Sequence, residues 1–104
     1  MLLTTTERIP GHEYELLNLV QGNMIQTKNL GKDIGQAFKS MVGGELKAYV
    51  EMVNQSRAIA TKRMVEEAER LGADAIVMVR FASSTVSAGA AEILVFGTAV
   101  KYTS

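Results

Sequence analysis

The chain has 104 residues with 11 Lys+Arg against 11 Asp+Glu, a single domain's length that buries about two-thirds of its unfolded surface and has no net field to draw it onto nucleic acid or an anionic membrane. The absence of cysteine excludes a disulfide framework, a thiolate metal site and a cysteine nucleophile. No basic segment precedes an apolar run at the start, and no apolar run approaches the roughly 18 residues that span a bilayer, so the chain is expected to be soluble, unprocessed and cytoplasmic, with neither membrane nor nucleic acid as a partner.

Leu2 to Thr5 is short, apolar and β-branched, which suits a small edge strand. Ile9-Pro10-Gly11 then forces a turn, because proline fixes φ and glycine accepts positive φ. Alternation predicts a strand over His12 to Thr27, with Leu17, Leu19 and Ile25 on one face and Tyr14, Leu16, Val20 and Met24 on the other. Gly22 inside it marks a bulge or a close backbone approach. Asn29 suits the N-cap of a short helix whose apolar positions Leu30, Ile34, Phe38 and Met41 recur at helical spacing, with Gly43 as its stop.

Gly43 to Leu71 is the longest segment with unbroken helical period. Stepping 100° per residue from Val53 places Leu46, Tyr49, Val50, Ala60, Met64, Ala68 and Leu71 within about 60° of it, one buried face. Glu45 suits the first helical position, where a carboxylate meets the positive end of the dipole, and Leu71-Gly72-Ala73 reads as a glycine C-cap. Beyond it, Ala75 to Phe81 alternates Ala75, Val77, Val79 and Phe81 against Ile76, Met78 and Arg80. Ser83 to Ala91 is rich in small residues and reads as a loop or loose hairpin connection, a candidate mobile lid. Glu92 to Tyr102 alternates Leu94, Phe96, Val100 and Tyr102 against Ile93, Val95, Ala99 and Lys101, with Gly97 a candidate bulge.

The order β-β-α-α-β-β predicts an α+β fold of two layers, a mainly antiparallel sheet under one long helix. A helix covers one face of such a sheet and nothing in the chain covers the other. Both faces of the strands carry apolar residues, which an antiparallel sheet with one solvated side should not show. A homo-oligomer is therefore expected.

Arg57 falls about 40° from Val53 on the apolar face, so burial would demand a partner for its charge. Glu92 and Glu45 are the candidates, from the same or a neighbouring subunit, and a structural ion pair is favoured over a ligand anchor. Gly43-Gly44 ahead of a helix could offer backbone N–H groups to an anion, but Glu45 occupies the same field and a plain turn is favoured. His12 reads as a solvated loop histidine. Ser56, Ser83, Ser84, Ser87 and Thr98 supply hydroxyls without a nearby base, and no cofactor is readable.

Val42-Gly43-Gly44, Tyr49, Arg57, Ala60, Leu71-Gly72-Ala73-Asp74-Ala75 and Gly97-Thr98-Ala99-Val100-Lys101, with Thr4-Thr5-Thr6, Gly22 and Asp33, resemble the YbjQ family over nearly the whole chain, so residues 1–104 read as one YbjQ-like domain. The resemblance implies a dodecin-like fold with subunits in a ring, commonly a pentamer, and its members are often labelled heavy-metal-binding. Here Val79-Arg80-Phe81-Ala82-Ser83-Ser84 stands where some members place acidic residues, and soft ions require thiolates or several imidazoles whereas this chain has only His12. The expected function is a ring-forming binding or scaffold protein without enzymatic activity, with any small ligand held between subunits by Glu45, Arg57 or Glu92. The alternative is a module binding hard or borderline metal ions through carboxylates and His12.

Overall fold

The computed structural model describes residues 1–26, 47–87 and 90–104. The elements are β1 (Leu2–Leu3), β2 (Tyr14–Gln26), α1 (Lys47–Arg70), β3 (Ala75–Ser87) and β4 (Ala90–Tyr102). They form an α+β structure in which α1 lies on a four-stranded mixed sheet of order β1-β3-β4-β2. β1 runs parallel to β3, and β4 is antiparallel to both of its neighbours. The predicted short helix around Leu30 to Met41, and the helix start at Glu45, lie outside the described residues.

The helix is anchored by its C-terminal two-thirds. Ala60, Met64 and Ala68 are fully buried against Val20, Ile76, Val95 and Ala99, the stripe that the helical period predicts. Small residues let the layers close up. A Cβ built on Gly22 would stand 2.1 Å from the Ala60 carbonyl oxygen and 2.5 Å from the Met64 nitrogen, so Gly22 marks a close backbone approach rather than a bulge. Beside it the Arg63 guanidinium donates to the Asn23 carbonyl at 2.7 Å. The helix ends where Gly72 takes φ +76°. The Ala73 N–H bonds back to the Ala68 carbonyl at 3.1 Å and the Gly72 N–H to that of Glu69 at 3.0 Å, which satisfies carbonyls the last turn would leave open.

Two bulges re-aim side chains against simple alternation. On β2 the register shifts between Leu16 and Asn18, so Leu17 joins Val20 and Met24 on the helix face while Leu16 is exposed on the other. This corrects the expected grouping of Leu16 with Val20 and Met24. On β3 the shift between Val77 and Arg80 centres on Met78, whose φ is +55°. Ala75 and Val77 face away from the helix, whereas Val79 joins Ile76 beneath it. The bulge is therefore in β3, opposite Gly97, and not in β4. The N-terminal segment holds the bulge in place: Met78 and Val79 donate to the carbonyls of Thr6 and Thr4 at 3.2 and 2.9 Å, and the Arg80 guanidinium donates to that of Thr5 at 2.9 Å.

Two further expectations change. Ser83 to Ser87 belongs to β3 and pairs with β4 through Ser83↔Ile93, Ser84↔Glu92 and Thr85↔Ala91. Cross-strand pairing, with β-branched Thr85 and Val86 in the run, overrides the small-residue composition that suggested a lid. The sheet face away from α1 is also partly covered. Ile9, behind the turn at Gly11 (φ +86°), packs with Ala75, Val77 and Val100, flanked by Tyr14 and Tyr102. The His12 ring stacks on Tyr102 with centroids 3.9 Å apart, and the Tyr14 hydroxyl donates to the Glu7 carbonyl at 2.5 Å.

In the turn after α1 the Asp74 carboxylate accepts from the Tyr102 N–H at 2.8 Å and lies 3.9 Å from Lys101 Nζ. Asp74→Ala leaves that strand-end amide of β4 without its acceptor, an expected loss of about 1–2 kcal/mol. Urea unfolding at fixed protein concentration measures it, and an unchanged midpoint would show that the contact is neutral.

Candidate functional site

The N-terminal half of α1 stands over the distal part of the β3–β4 hairpin, and between them is an open groove of about 810 Å³. Val50, Val53, Phe81 and Ile93 form its apolar walls, and Ser56, Arg57 and Thr85 contribute polar groups. Phe81 is 52% exposed and Val50 49%, so these apolar side chains have no full partner within the described chain. Its volume lies within the usual range for small-molecule sites.

Ser56 is the polar side chain that sequence reasoning undervalued. It is buried at 2% exposure, where its hydroxyl donates to the Met52 carbonyl at 3.0 Å and accepts from the Gln26 amide at 3.2 Å. Its position three residues after Val53 and four before Ala60 was the available signal, since that places it at the border of the buried stripe. Its bonds make it a structural tie between α1 and the end of β2.

Arg57 is exposed and lines the groove. Within the described chain its charge is therefore not buried, and the expected ion pair would have to form across subunits or with residues outside the described ones. Position on the apolar stripe implies burial only where the sheet lies close beneath, and over the groove it does not. Among the described residues the ion pair formed is that of Lys101 with Asp74. Glu92 borders the groove in the chain, but its carboxylate accepts from the Asn23 amide at 2.9 Å. Asn23, between the helix-facing Gly22 and Met24, lies on the opposite side of the sheet, so the structure does not bring Glu92 to Arg57. Glu45, Gly43 and Gly44 lie outside the described residues.

Among the described residues the potential metal donors are dispersed. Among the described residues no three His, Asp or Glu side chains are grouped as ligands. His12 donates through Nδ1 to the Ser104 backbone oxygen at 3.1 Å. It sits beside the end of β2 at which Tyr14 meets Tyr102, whereas Glu92 pairs with Ile25 at the other end. That separation is roughly 36 Å at 3.3 Å per residue, too far for one ion. Nor does any helix among the described residues have the length and apolarity to cross a membrane.

Among the described residues, one helix packed on a four-stranded mixed sheet with a groove at one end defines an α+β protein. The chain belongs to the YbjQ family, whose model YbjQ_1, described as "Putative heavy-metal-binding", matches residues 1–103. It is 58% identical over 102 residues to a UPF0145 protein of Thermosipho africanus, covering 97% of this chain and 94% of the relative. It is 59% identical to a UPF0145 protein of Alkaliphilus metalliredigens, covering 98% and 99%. In fold it is similar to the crystal structure of a DUF74-family protein of unknown function from Pediococcus pentosaceus, with a TM-score of 0.72 at 16% identity over 98% of this chain and 97% of that one.

Proposed function

We propose that this chain is the subunit of a non-enzymatic, self-assembling binding or scaffold protein of the cytoplasm, a dodecin-like pentameric ring in which the groove beside Arg57 is the ligand site. The observation that carries this reading is the uncovered sheet face. Leu16, Leu19 and Ile25 are exposed there at 69%, 61% and 46%, in register with Val100, Thr98 and Glu92 of β4. Three large aliphatic side chains in one row on water favour a partner surface. The Cα atoms span 54 × 28 × 16 Å, and the thin dimension is that of one sheet and one helix, which leaves no second layer within the described chain.

The non-enzymatic part of the reading is supported by His12, whose ring is engaged by Tyr102 and Ser104 far from the groove hydroxyls. Metal binding as the function has the family description in its favour and no ligand cluster among the described residues.

A native mass spectrum of the untagged protein tests the reading. A closed multiple of the chain mass is expected, and a monomer at micromolar concentration would overturn it. Arg57→Met should leave assembly intact and stability within about 0.5 kcal/mol, as for an exposed side chain without an ion partner among the described residues, and should remove any co-purified anionic mass. Loss of assembly in that variant would return Arg57 to a structural role between subunits.

A further inference from the structure

The strand β3 carries a sequence that suits either face of the sheet. Its register against β4 changes by one residue at Met78: Val77 pairs with Thr98, whereas Arg80 pairs with Phe96 and Ser84 with Glu92. Val79 and Phe81 are thereby set on the helix face, Phe81 opposite the fully buried Val95, and Arg80 is set on the other. Simple alternation continued from Val77 gives the opposite arrangement, with Met78 opposite Gly97, Arg80 opposite Val95, and Val79 and Phe81 turned away from α1. A one-residue slip over 78–84 reaches it without moving Ala75 to Val77. The ladder is irregular again between Thr85 and Ser87 and takes up the difference there.

Residue type discriminates weakly between the two registers. Met78, Val79 and Phe81 are apolar, and Ala82, Ser83 and Ser84 are small, so most exchanges of face replace like with like. The backbone favours the slip, because Met78 then leaves its φ of +55°, a conformation unfavourable to a residue with a Cβ. Two features oppose it. The N-terminal segment clips round the side of β3: Leu3 packs on the helix-side cluster and Ile9 in the cluster on the other face. Between these two anchors the carbonyls of Thr6 and Thr4 hold the N–H groups of Met78 and Val79 at 3.2 and 2.9 Å. Arg80 is the second feature. Its guanidinium donates to the carbonyls of Thr5 and Val79, both at 2.9 Å. After a slip it would stand beside Val95 beneath α1 without those acceptors, and a buried charge without partners is costly.

We infer that the strap Thr4–Thr6 and Arg80 together form a register lock on β3: the strap holds the bulged pairing, and the charge of Arg80 excludes a second, latent pairing in which Val79 and Phe81 change faces. The lock explains why a residue with a side chain is kept at positive φ where the rest of the strand would accept regular alternation. It also makes Arg80 the residue that decides which face of the sheet Phe81 serves.

Cysteine trapping tests this, because the chain has no cysteine of its own. Ser84→Cys with Glu92→Cys links the observed pairing, and Ser83→Cys with Glu92→Cys links the slipped one. With Arg80 in place the second pair should oxidise at least about tenfold more slowly than the first, since in the observed register Ser83 and Glu92 point to opposite faces. Adding Arg80→Met should speed the second pair at least about tenfold, because the slipped register no longer buries a charge. Arg80→Lys keeps the charge and should leave the second pair slow. No gain with Arg80→Met would overturn the latent register. Loss of the fold in that variant by circular dichroism would overturn it too, because a chain released from the lock has two folded pairings to choose from. An equal gain with Arg80→Lys would overturn the part assigned to the charge.

Discussion

Gly22→Ala is expected to lower stability by about 3 kcal/mol or more, the upper end of what overpacking costs, and thus to drop Tm by roughly 12–24 °C for a chain of this size. The added methyl would fall 2.1 Å from the Ala60 carbonyl oxygen and 2.5 Å from the Met64 nitrogen. Both are backbone atoms in the middle of α1, so no rotamer change relieves the clash. The helix must lift, which opens the cluster of Val20, Met64 and Val95 beneath it. Gly72→Ala is the comparison. Gly72 has φ +76° with nothing within 4 Å of the added Cβ, so its cost is conformational only, about 1–2 kcal/mol. Chemical denaturation of both variants at one protein concentration, since assembly shifts apparent stability, should rank Gly22→Ala well below Gly72→Ala. Equal losses would show that α1 can rise without penalty.

Leu19→Lys combined with Ile25→Lys should abolish assembly while the subunit keeps its fold. Both side chains already face water in the single chain, so exchanging them for lysine changes little there. Burying them between subunits would stabilise the assembly by about 1.5–3 kcal/mol each, and their loss alone weakens association by roughly 10²- to 10⁴-fold before the cost of bringing ammonium groups into the contact. Native mass spectrometry with circular dichroism reads both halves of the expectation. A variant that still assembles would move the interface off this face. A variant that unfolds would make the row part of the subunit's own core.

The family and the order of the described elements were legible because they depend on local pattern: the stripe Ala60, Met64 and Ala68, the cap at Gly72, the turn at Gly11 and the alternation of β4 all stand where spacing put them. Gly22 was readable as an exceptional position, though not which of its two meanings applied. The candidate site was much less legible. Arg57 was placed correctly on the helix, but its exposure within the chain was not readable, because angular position says which way a side chain points and not whether a surface lies there. Glu92 was linked to Arg57 by proximity along a plausible path, but strand alternation turns its carboxylate to the other side of the sheet.

The sequence by itself determined the type of nearly every described element, the helix stripe, the mismatch between two apolar sheet faces and one covering helix, and the absence of thiolate chemistry, since each follows from residue type and period. Only the tertiary structure decided the bulges at Leu17 and Met78, the burial of Ser56, the groove beside Arg57 and which strands stand at the edges of the sheet. The reason is common to all of these. A bulge at a residue other than glycine carries no local signature: Met78 is held at positive φ by bonds to Thr4 and Thr6 more than seventy residues away. A groove or a sheet edge is likewise defined by where neighbouring elements stop, which no single segment encodes.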